Sequence, residues 1–161
     1  MVKGENVMLG YWNNQEETNK VLKDGWLHTG DIGIFENGYL KITDRKKDIL
    51  ITPGGDNISP VKIENELSNS KYIDQSIVYG DNKPYLVALL VLSDDNINVT
   101  QQQVKKEIDN INKNLSRIEN IKKFFIIKEK FSIENGMLTP TLKLKRYKIV
   151  QRYKNEFEKL Y

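Results

Sequence analysis

An unbroken apolar run of eight residues, Tyr85-Leu86-Val87-Ala88-Leu89-Leu90-Val91-Leu92, constrains this chain more than any other feature. It is too short to cross a membrane, which takes about 20 residues. Behind the turn Gly80-Asp81-Asn82-Lys83-Pro84 it reads as a strand with no polar face. Such a strand has to lie inside a sheet that is covered on both sides. The covering elements are legible too. Ser59 as N-cap and Pro60 at the first helical position predict a helix through Leu67. Thr100 and Gln103 predict a capping box, after which Val104, Ile108, Ile111, Leu115 and Ile118 keep a 4-3-4-3 spacing, one apolar helical face. Leu144, Tyr147, Val150, Tyr153, Phe157 and Leu160 predict a last helix with a similar stripe. Further strands are expected at Tyr72 to Tyr79 and Ile121 to Ile127. The fold class is therefore α+β, a small domain with a three-stranded sheet and packed helices.

Ahead of that domain the chain reads as a short β-rich tail. Asn13 to about Leu22 predicts one helix, with Glu16 and Glu17 in its first turn, ended by Asp24-Gly25. Two strand-like runs follow, Asp31 to Phe35 and Tyr39 to Thr43. Asn37-Gly38 between them is the strongest local signal for a hairpin. Asp44-Arg45-Lys46-Lys47-Asp48 is then either a solvated turn or a hinge between domains. After Ile49-Leu50-Ile51, the loop Thr52-Pro53-Gly54-Gly55-Asp56-Asn57 carries paired glycines, which permit φ > 0 or a close approach of backbone.

Composition closes several chemistries. The 161 residues contain no cysteine and one histidine, which excludes disulfides, thiolate metal sites and a cysteine nucleophile. The N-terminus has no long apolar core with a small-residue cleavage site, so no secretory leader is read. A net charge of +3 could suggest nucleic acid, but 21 Lys against 4 Arg, with 17 Asn and 18 Ile, looks like codon bias. Acids are interspersed through most of the chain and no basic-aromatic run appears, so no nucleic-acid partner is expected.

Three segments carry candidate chemistry: Gly25-Trp26-Leu27-His28-Thr29-Gly30-Asp31; Asp44-Arg45-Lys46-Lys47-Asp48 with Gly54-Gly55-Asp56-Asn57-Ile58-Ser59-Pro60 and Ile63-Glu64; and Leu138-Thr139-Pro140-Thr141-Leu142-Lys143-Leu144-Lys145-Arg146. Singly, each reads as a turn or a surface charge. In this order, after the opening Val2-Lys3-Gly4-Glu5-Asn6-Val7-Met8-Leu9-Gly10-Tyr11-Trp12, they resemble the adenylate-forming superfamily of acyl-CoA synthetases, luciferases and peptide-synthetase adenylation domains. The resemblance covers nearly the whole chain. It implies that residues 1–46 are the tail of a large N-terminal adenylation domain and 47–161 the mobile C-terminal domain. The phosphate loop and acyl pocket of the family would lie upstream, so this chain alone is expected to be an inactive fragment.

The resemblance also implies roles. Asp31 would take the ribose hydroxyls of ATP or AMP, and an ionised carboxylate suits two adjacent hydroxyls. Arg45 would lie near ribose and phosphate, where its rigid fork of donors fits. Lys47 matches the hinge. Gly54 and Gly55 match the loop lining the pantetheine tunnel of CoA, one residue longer than in many relatives, as in long-chain acyl-CoA synthetases. Lys143 matches the lysine that reaches the carboxylate and α-phosphate, with Leu142 in place of the usual glycine and Lys145 as the fallback. His28 is expected to be non-catalytic and Trp26 to pack. The implied activity is ATP-dependent ligation of a long-chain fatty acid to CoA, by adenylation and then thioester formation. The alternative is the same domain serving an acyl carrier protein or peptide synthetase. ATP, fatty acid and CoA are the expected partners, with Mg2+ held mainly by the N-terminal domain and no metal site on this chain. The implied setting is cytoplasmic, with peripheral contact at the inner face of a membrane through the acyl substrate.

Overall fold

Residues 1–96 and 99–161 are described by a computed structural model. The chain divides into two compact units, 1–47 and 48–161.

In the first unit Asn14 caps a helix, α1 (Gln15–Val21), by accepting the Glu17 N–H at 3.0 Å. Two short strands, β1 (Leu22–Lys23) and β2 (Trp26–Leu27), pair antiparallel, and Val2 bridges to Leu27. Next come β3 (Asp31–Glu36) and β4 (Tyr39–Arg45), an antiparallel hairpin. Its two loop residues, Asn37 and Gly38, have φ of 51° and 83°. Positive φ at both positions is what a tight twisted hairpin needs, and Asn-Gly tolerates it best.

The second unit opens with β5 (Leu50–Ile51) and β6 (Asn57–Ile58), so the paired-glycine loop is the tip of a small hairpin rather than a free loop. Ser59 accepts the Lys62 N–H and starts α2 (Pro60–Ser68). The main sheet has the order β7 (Ile73–Tyr79), β8 (Leu86–Leu92), β9 (Ile121–Ile127). β7 and β8 run antiparallel, while β8 and β9 are parallel, the described residues of the crossover carrying a 3-10 turn (Asp94–Asn96) and α3 (Gln101–Asn112).

β8 has both faces covered, as its apolar run requires. Leu86, Ala88 and Leu90 join Ile63 and Leu67 of α2 and Val104, Ile108 and Ile111 of α3 in one core. Val87, Leu89 and Val91 face the other way, into a core with Met137, Leu138, Ile149 and Phe157. Full burial of such side chains is worth roughly 1.5–3 kcal/mol each, which makes the strand the centre of the domain.

Two helices depart from the sequence expectation. α3 ends at Asn112, leaving Leu115 beyond it and Ile118 46% exposed. The Asn112 amide is committed elsewhere: it accepts the Ile121 N–H and donates to the Ile121 carbonyl, both at 2.9 Å, joining the helix end to β9. The last helix is two pieces, α4 (Arg146–Arg152) and α5 (Lys154–Glu158), broken at Tyr153, whose hydroxyl donates to Glu129 at 2.9 Å. Leu144, Val150, Tyr153, Phe157 and Leu160 of the expected stripe pack on the second core, whereas Tyr147 faces out at 68% exposure and Ile149, outside that stripe, is fully buried.

Candidate functional site

The β3–β4 hairpin brings together two residues fourteen positions apart. Asp31 opens β3 and Arg45 closes β4, directly opposite in register. Arg45 Nε donates to Asp31 Oδ1 at 3.1 Å. The Asp31 N–H donates to Thr29 Oγ1 at 3.2 Å, and the Lys46 N–H to the Gly30 carbonyl at 2.8 Å, so the open end of the hairpin is held. The Asp31 side chain is only 26% exposed and that of Arg45 67%. Both carry capacity beyond their mutual bond: a second carboxylate oxygen and the outer guanidinium nitrogens.

The charged run beside them is not uniformly solvated. Asp44 lies in β4 and is buried, with Oδ1 lacking a hydrogen-bond partner. Lys47, the last residue of the first unit, is exposed in the turn that follows. His28 is exposed and bound through its backbone, its N–H donating to the Val21 carbonyl. Trp26 does not pack as expected. It is 42% exposed, with the Lys3 ammonium 5.7 Å from the ring centre.

In the second unit the Thr52–Asp56 loop is braced internally. Thr52 Oγ1 donates to Asp56 Oδ2 at 3.1 Å and accepts the Asp56 N–H at 3.0 Å, while the Gly55 N–H donates to the Thr52 carbonyl at 2.9 Å. From outside, Asp81 accepts the Ile51 N–H at 2.9 Å. The glycines differ. Gly55 has φ of 88° and open space where a Cβ would sit. Gly54 has no such positive φ, and a Cβ there would make ordinary contacts of 3.5 Å to Asp56 and 3.6 Å to Thr52.

Lys143 sits at the end of a tight turn. Leu138 bridges to Leu144, the Thr139 N–H donates to the Lys143 carbonyl at 2.8 Å, and the Lys143 N–H donates to Thr139 Oγ1 at 3.0 Å. Thr139 and Thr141 hydroxyls lie 3.0 Å apart. Leu142 has φ of 60° and is 69% exposed. Glycine is the residue that fits this conformation without strain. The Lys143 side chain is exposed and its ammonium has no hydrogen bond or ion pair among the described residues. Lys145 is half-buried, and its N–H is bound to the Met137 carbonyl at 2.8 Å.

A buried ion pair joins two of the segments singled out in the sequence. Glu64 of α2 receives two bonds from Arg146, the first residue of α4, at 2.8 and 2.7 Å. Glu64 also accepts the Val78 N–H at 2.7 Å, and Arg146 donates to the Val78 carbonyl at 3.0 Å. Burial lifts the Glu64 carboxyl above its ordinary range, opposed by Arg146 and the Val78 N–H. Sequence reasoning assigned the pair no role. The available signal was a charge placed among Pro60, Ile63 and Leu67, the buried positions of α2. A second tie holds α2: Lys62 Nζ lies 2.7 Å from Glu119. Burial pushes Glu119 up, but Lys62 and the Ser116 hydroxyl and N–H together hold it below the usual carboxylate value.

A cavity of about 420 Å³ opens between α3 and β9, lined by Ile108, Ile121, Phe124 and Leu160 with lysines at its rim. It includes none of the residues above. Among the described residues no group of three or more acidic, histidine or cysteine side chains could hold a metal ion, and no helix is long and apolar enough to cross a membrane.

Residues 47–161 match the family model for the AMP-binding enzyme C-terminal domain. A long-chain-fatty-acid–CoA ligase of Mycobacterium tuberculosis is 34% identical over all of this chain and 30% of its own length. Long-chain-fatty-acid–CoA ligase 5 of Rattus norvegicus is 40% identical over 99% of this chain and 27% of its own. The chain thus spans under a third of the curated relatives it matches. Among solved structures, the A domain of a carboxylic acid reductase from Segniliparus rugosus, in complex with AMP and a co-purified carboxylic acid, superposes with a TM-score of 0.91 at 26% identity, over 99% of this chain and 27% of that one. The o-succinylbenzoate coenzyme A synthetase of Bacillus subtilis, in complex with AMP, gives 0.70 at 29% identity, over 90% and 28%.

Proposed function

The chain belongs to the adenylate-forming enzymes, with their AMP-binding enzyme C-terminal domain at residues 47–161, and from that premise we propose that it supplies the C-terminal part of an ATP-dependent long-chain fatty acid–CoA ligase. In the first half-reaction a fatty carboxylate oxygen attacks the α-phosphorus of ATP and pyrophosphate leaves. In the second, the thiol of CoA attacks the acyl carbon and AMP leaves.

The observation that carries this reading is the lysine turn. An exposed, unpaired ammonium follows a left-handed residue in a turn closed by backbone bonds on both sides. This supports the register in which Leu142 stands for the family's glycine and Lys143 is the reactive-site lysine, with Lys145 committed to the start of α4. A cation beside the α-phosphate stabilises the charge that develops there during attack. Asp31, with a carboxylate oxygen to spare, would take the ribose hydroxyls and Arg45 the neighbouring phosphate side. Residues 1–46 would belong to the large domain, with Lys47 as the pivot about which the small domain turns between the two halves. Gly54 and Gly55 would line the path of the pantetheine arm. Mg2+ would be held mainly by the large domain. CoA is favoured over a carrier protein as acceptor because long-chain CoA ligases are 34–40% identical, against 26% for the reductase domain.

The test is a half-reaction split in the full-length enzyme. Lys143→Ala should slow fatty-acid-dependent pyrophosphate exchange about a hundredfold, the equivalent of ~3 kcal/mol. Thioester formation from a supplied acyl-adenylate should be spared. Equal loss in both halves, or a larger loss in Lys145→Ala, would overturn the assignment.

A further inference from the structure

We propose that Glu64 and Arg146 are positioning residues for Lys143, setting the direction in which the lysine turn leaves the domain; this rests on the reading of Lys143 given above. The geometry is specific. β7 is an edge strand, and Val78 turns its N–H and C=O away from β8 toward the free edge. Glu64 takes the N–H and Arg146 the C=O, and the two side chains close on each other with paired bonds of 2.7 and 2.8 Å. One point thereby fixes α2, the edge of β7 and the first residue of α4. Arg146 follows Lys143 by three residues, and the Lys145 N–H bond to Met137 holds the backbone between them. The turn itself protrudes, since Thr141, Leu142 and Lys143 are all exposed. Its base is therefore where the domain can aim it.

The chemistry of the pair argues for aim over stability. Taking two charges out of water costs about as much as their attraction returns, so a buried pair is a poor stabiliser compared with apolar side chains of similar size. A guanidinium forked onto a carboxylate does supply a fixed plane and angle. In-line attack at phosphorus is sensitive to such angles, and a displacement of about 1 Å can cost a hundredfold in rate.

The experiment replaces the pair by packing residues, Glu64→Met with Arg146→Met, in the full-length enzyme. Melting temperature should fall, because methionine leaves the Val78 N–H and C=O without the partners they have in Glu64 and Arg146; exchange rates are therefore read against other peptides of the same domain. Hydrogen exchange in peptides covering 138–147 should rise roughly tenfold, while peptides covering 50–58, braced by Thr52, Asp56 and Asp81, should not change. kcat for pyrophosphate exchange should fall roughly ten- to a hundredfold with KM for ATP little altered, and Glu64→Asp with Arg146 intact should recover part of the loss. If the double variant does not fold, Arg146→Lys, which keeps the charge and loses the fork, should give the same exchange pattern. Unchanged exchange at 138–147 in a folded variant overturns the positioning role, whatever the activity. Raised exchange with full pyrophosphate-exchange activity also overturns the positioning role, and the role of Lys143 itself is then decided by Lys143→Ala alone.

Discussion

Replacing each glycine of the Thr52–Asp56 loop by alanine separates what the backbone needs from what a ligand needs. At Gly55 the φ of 88° is hostile to a Cβ although nothing lies within 4 Å of where one would sit. The cost is then conformational alone, about 1–2 kcal/mol, partly offset by about 0.4–1 kcal/mol from the stiffer unfolded chain. At Gly54 the backbone is ordinary and the added methyl meets Asp56 and Thr52 at 3.5 and 3.6 Å, which is normal contact. Gly54→Ala should therefore gain about 0.4–1 kcal/mol. The unfolded-chain gain is common to both, so the two variants should differ by about 1–2 kcal/mol, or about 3–10 °C in melting temperature for a domain of this size. Gly55→Ala unfolding with wild type would refute the left-handed assignment.

The stabilised variant is the informative one for function. Its extra methyl disturbs nothing in the protein, so any loss of activity reports something that approaches the loop from outside. In the full-length enzyme Gly54→Ala should leave pyrophosphate exchange intact and slow thioester formation about tenfold or more, the cost of about 1–3 kcal/mol for one methylene of overpacking. If it is more stable and also makes thioester at the wild-type rate, no pantetheine arm runs along Gly54.

Leu142→Gly should be neutral or raise stability by up to about 1 kcal/mol, because relief of ~1–2 kcal/mol of left-handed strain exceeds the entropy cost of glycine; thermal melting checks it, and a clear fall would mean the exposed leucine packs on something. Glu119→Gln should lower the urea midpoint at pH 7. Since Lys62 and Ser116 hold the folded carboxyl below its ordinary value of 4.5, the stabilisation is present above that pH and is lost as pH falls through the depressed folded value. The two denaturation curves should therefore converge in acid, and a gap that persists there would assign the loss to packing.

What was legible in the sequence is what local chemistry decides. β8 followed from eight apolar residues without a break, and the β3–β4 hairpin from Asn37-Gly38. The Thr100–Gln103 capping box forms with both of its reciprocal bonds. Once the hairpin is granted, the meeting of Asp31 and Arg45 is a matter of register. What failed to show depends on partners far along the chain. The apolar spacing through Ile118 continues past the end of α3, where the Asn112 side chain is tied to Ile121 of β9. Ile149, not Tyr147, enters the core once Tyr153 breaks the last helix, with its hydroxyl on Glu129. Glu64 finds its partner 82 residues away. The substitution of leucine for glycine at 142 was visible, but whether the turn kept its left-handed geometry was not.

The two units differ in how they are held, and the difference bears on where the site gets its precision. All of the buried apolar side chains among the described residues fall at Leu50 or later; before it only Thr18 and Asp44 are buried. On one face of the β3–β4 hairpin, Phe35 stands opposite Leu40 and Gly33 opposite Ile42, yet Phe35, Leu40 and Ile42 are 81%, 57% and 56% exposed. A two-stranded hairpin is marginal in water, and a contiguous apolar face of this kind marks a surface built to be covered. Under the proposed reading, that cover is the body of the large adenylation domain. Asp31 and Arg45, at the base of the same hairpin, then owe their rigidity to that domain, whereas Lys143 owes its own to the core around β8 and to the Glu64–Arg146 pair. If Lys143 enters and leaves the site as proposed, this division is what the motion would need: Asp31 and Arg45 anchored to one body, Lys143 aimed by another.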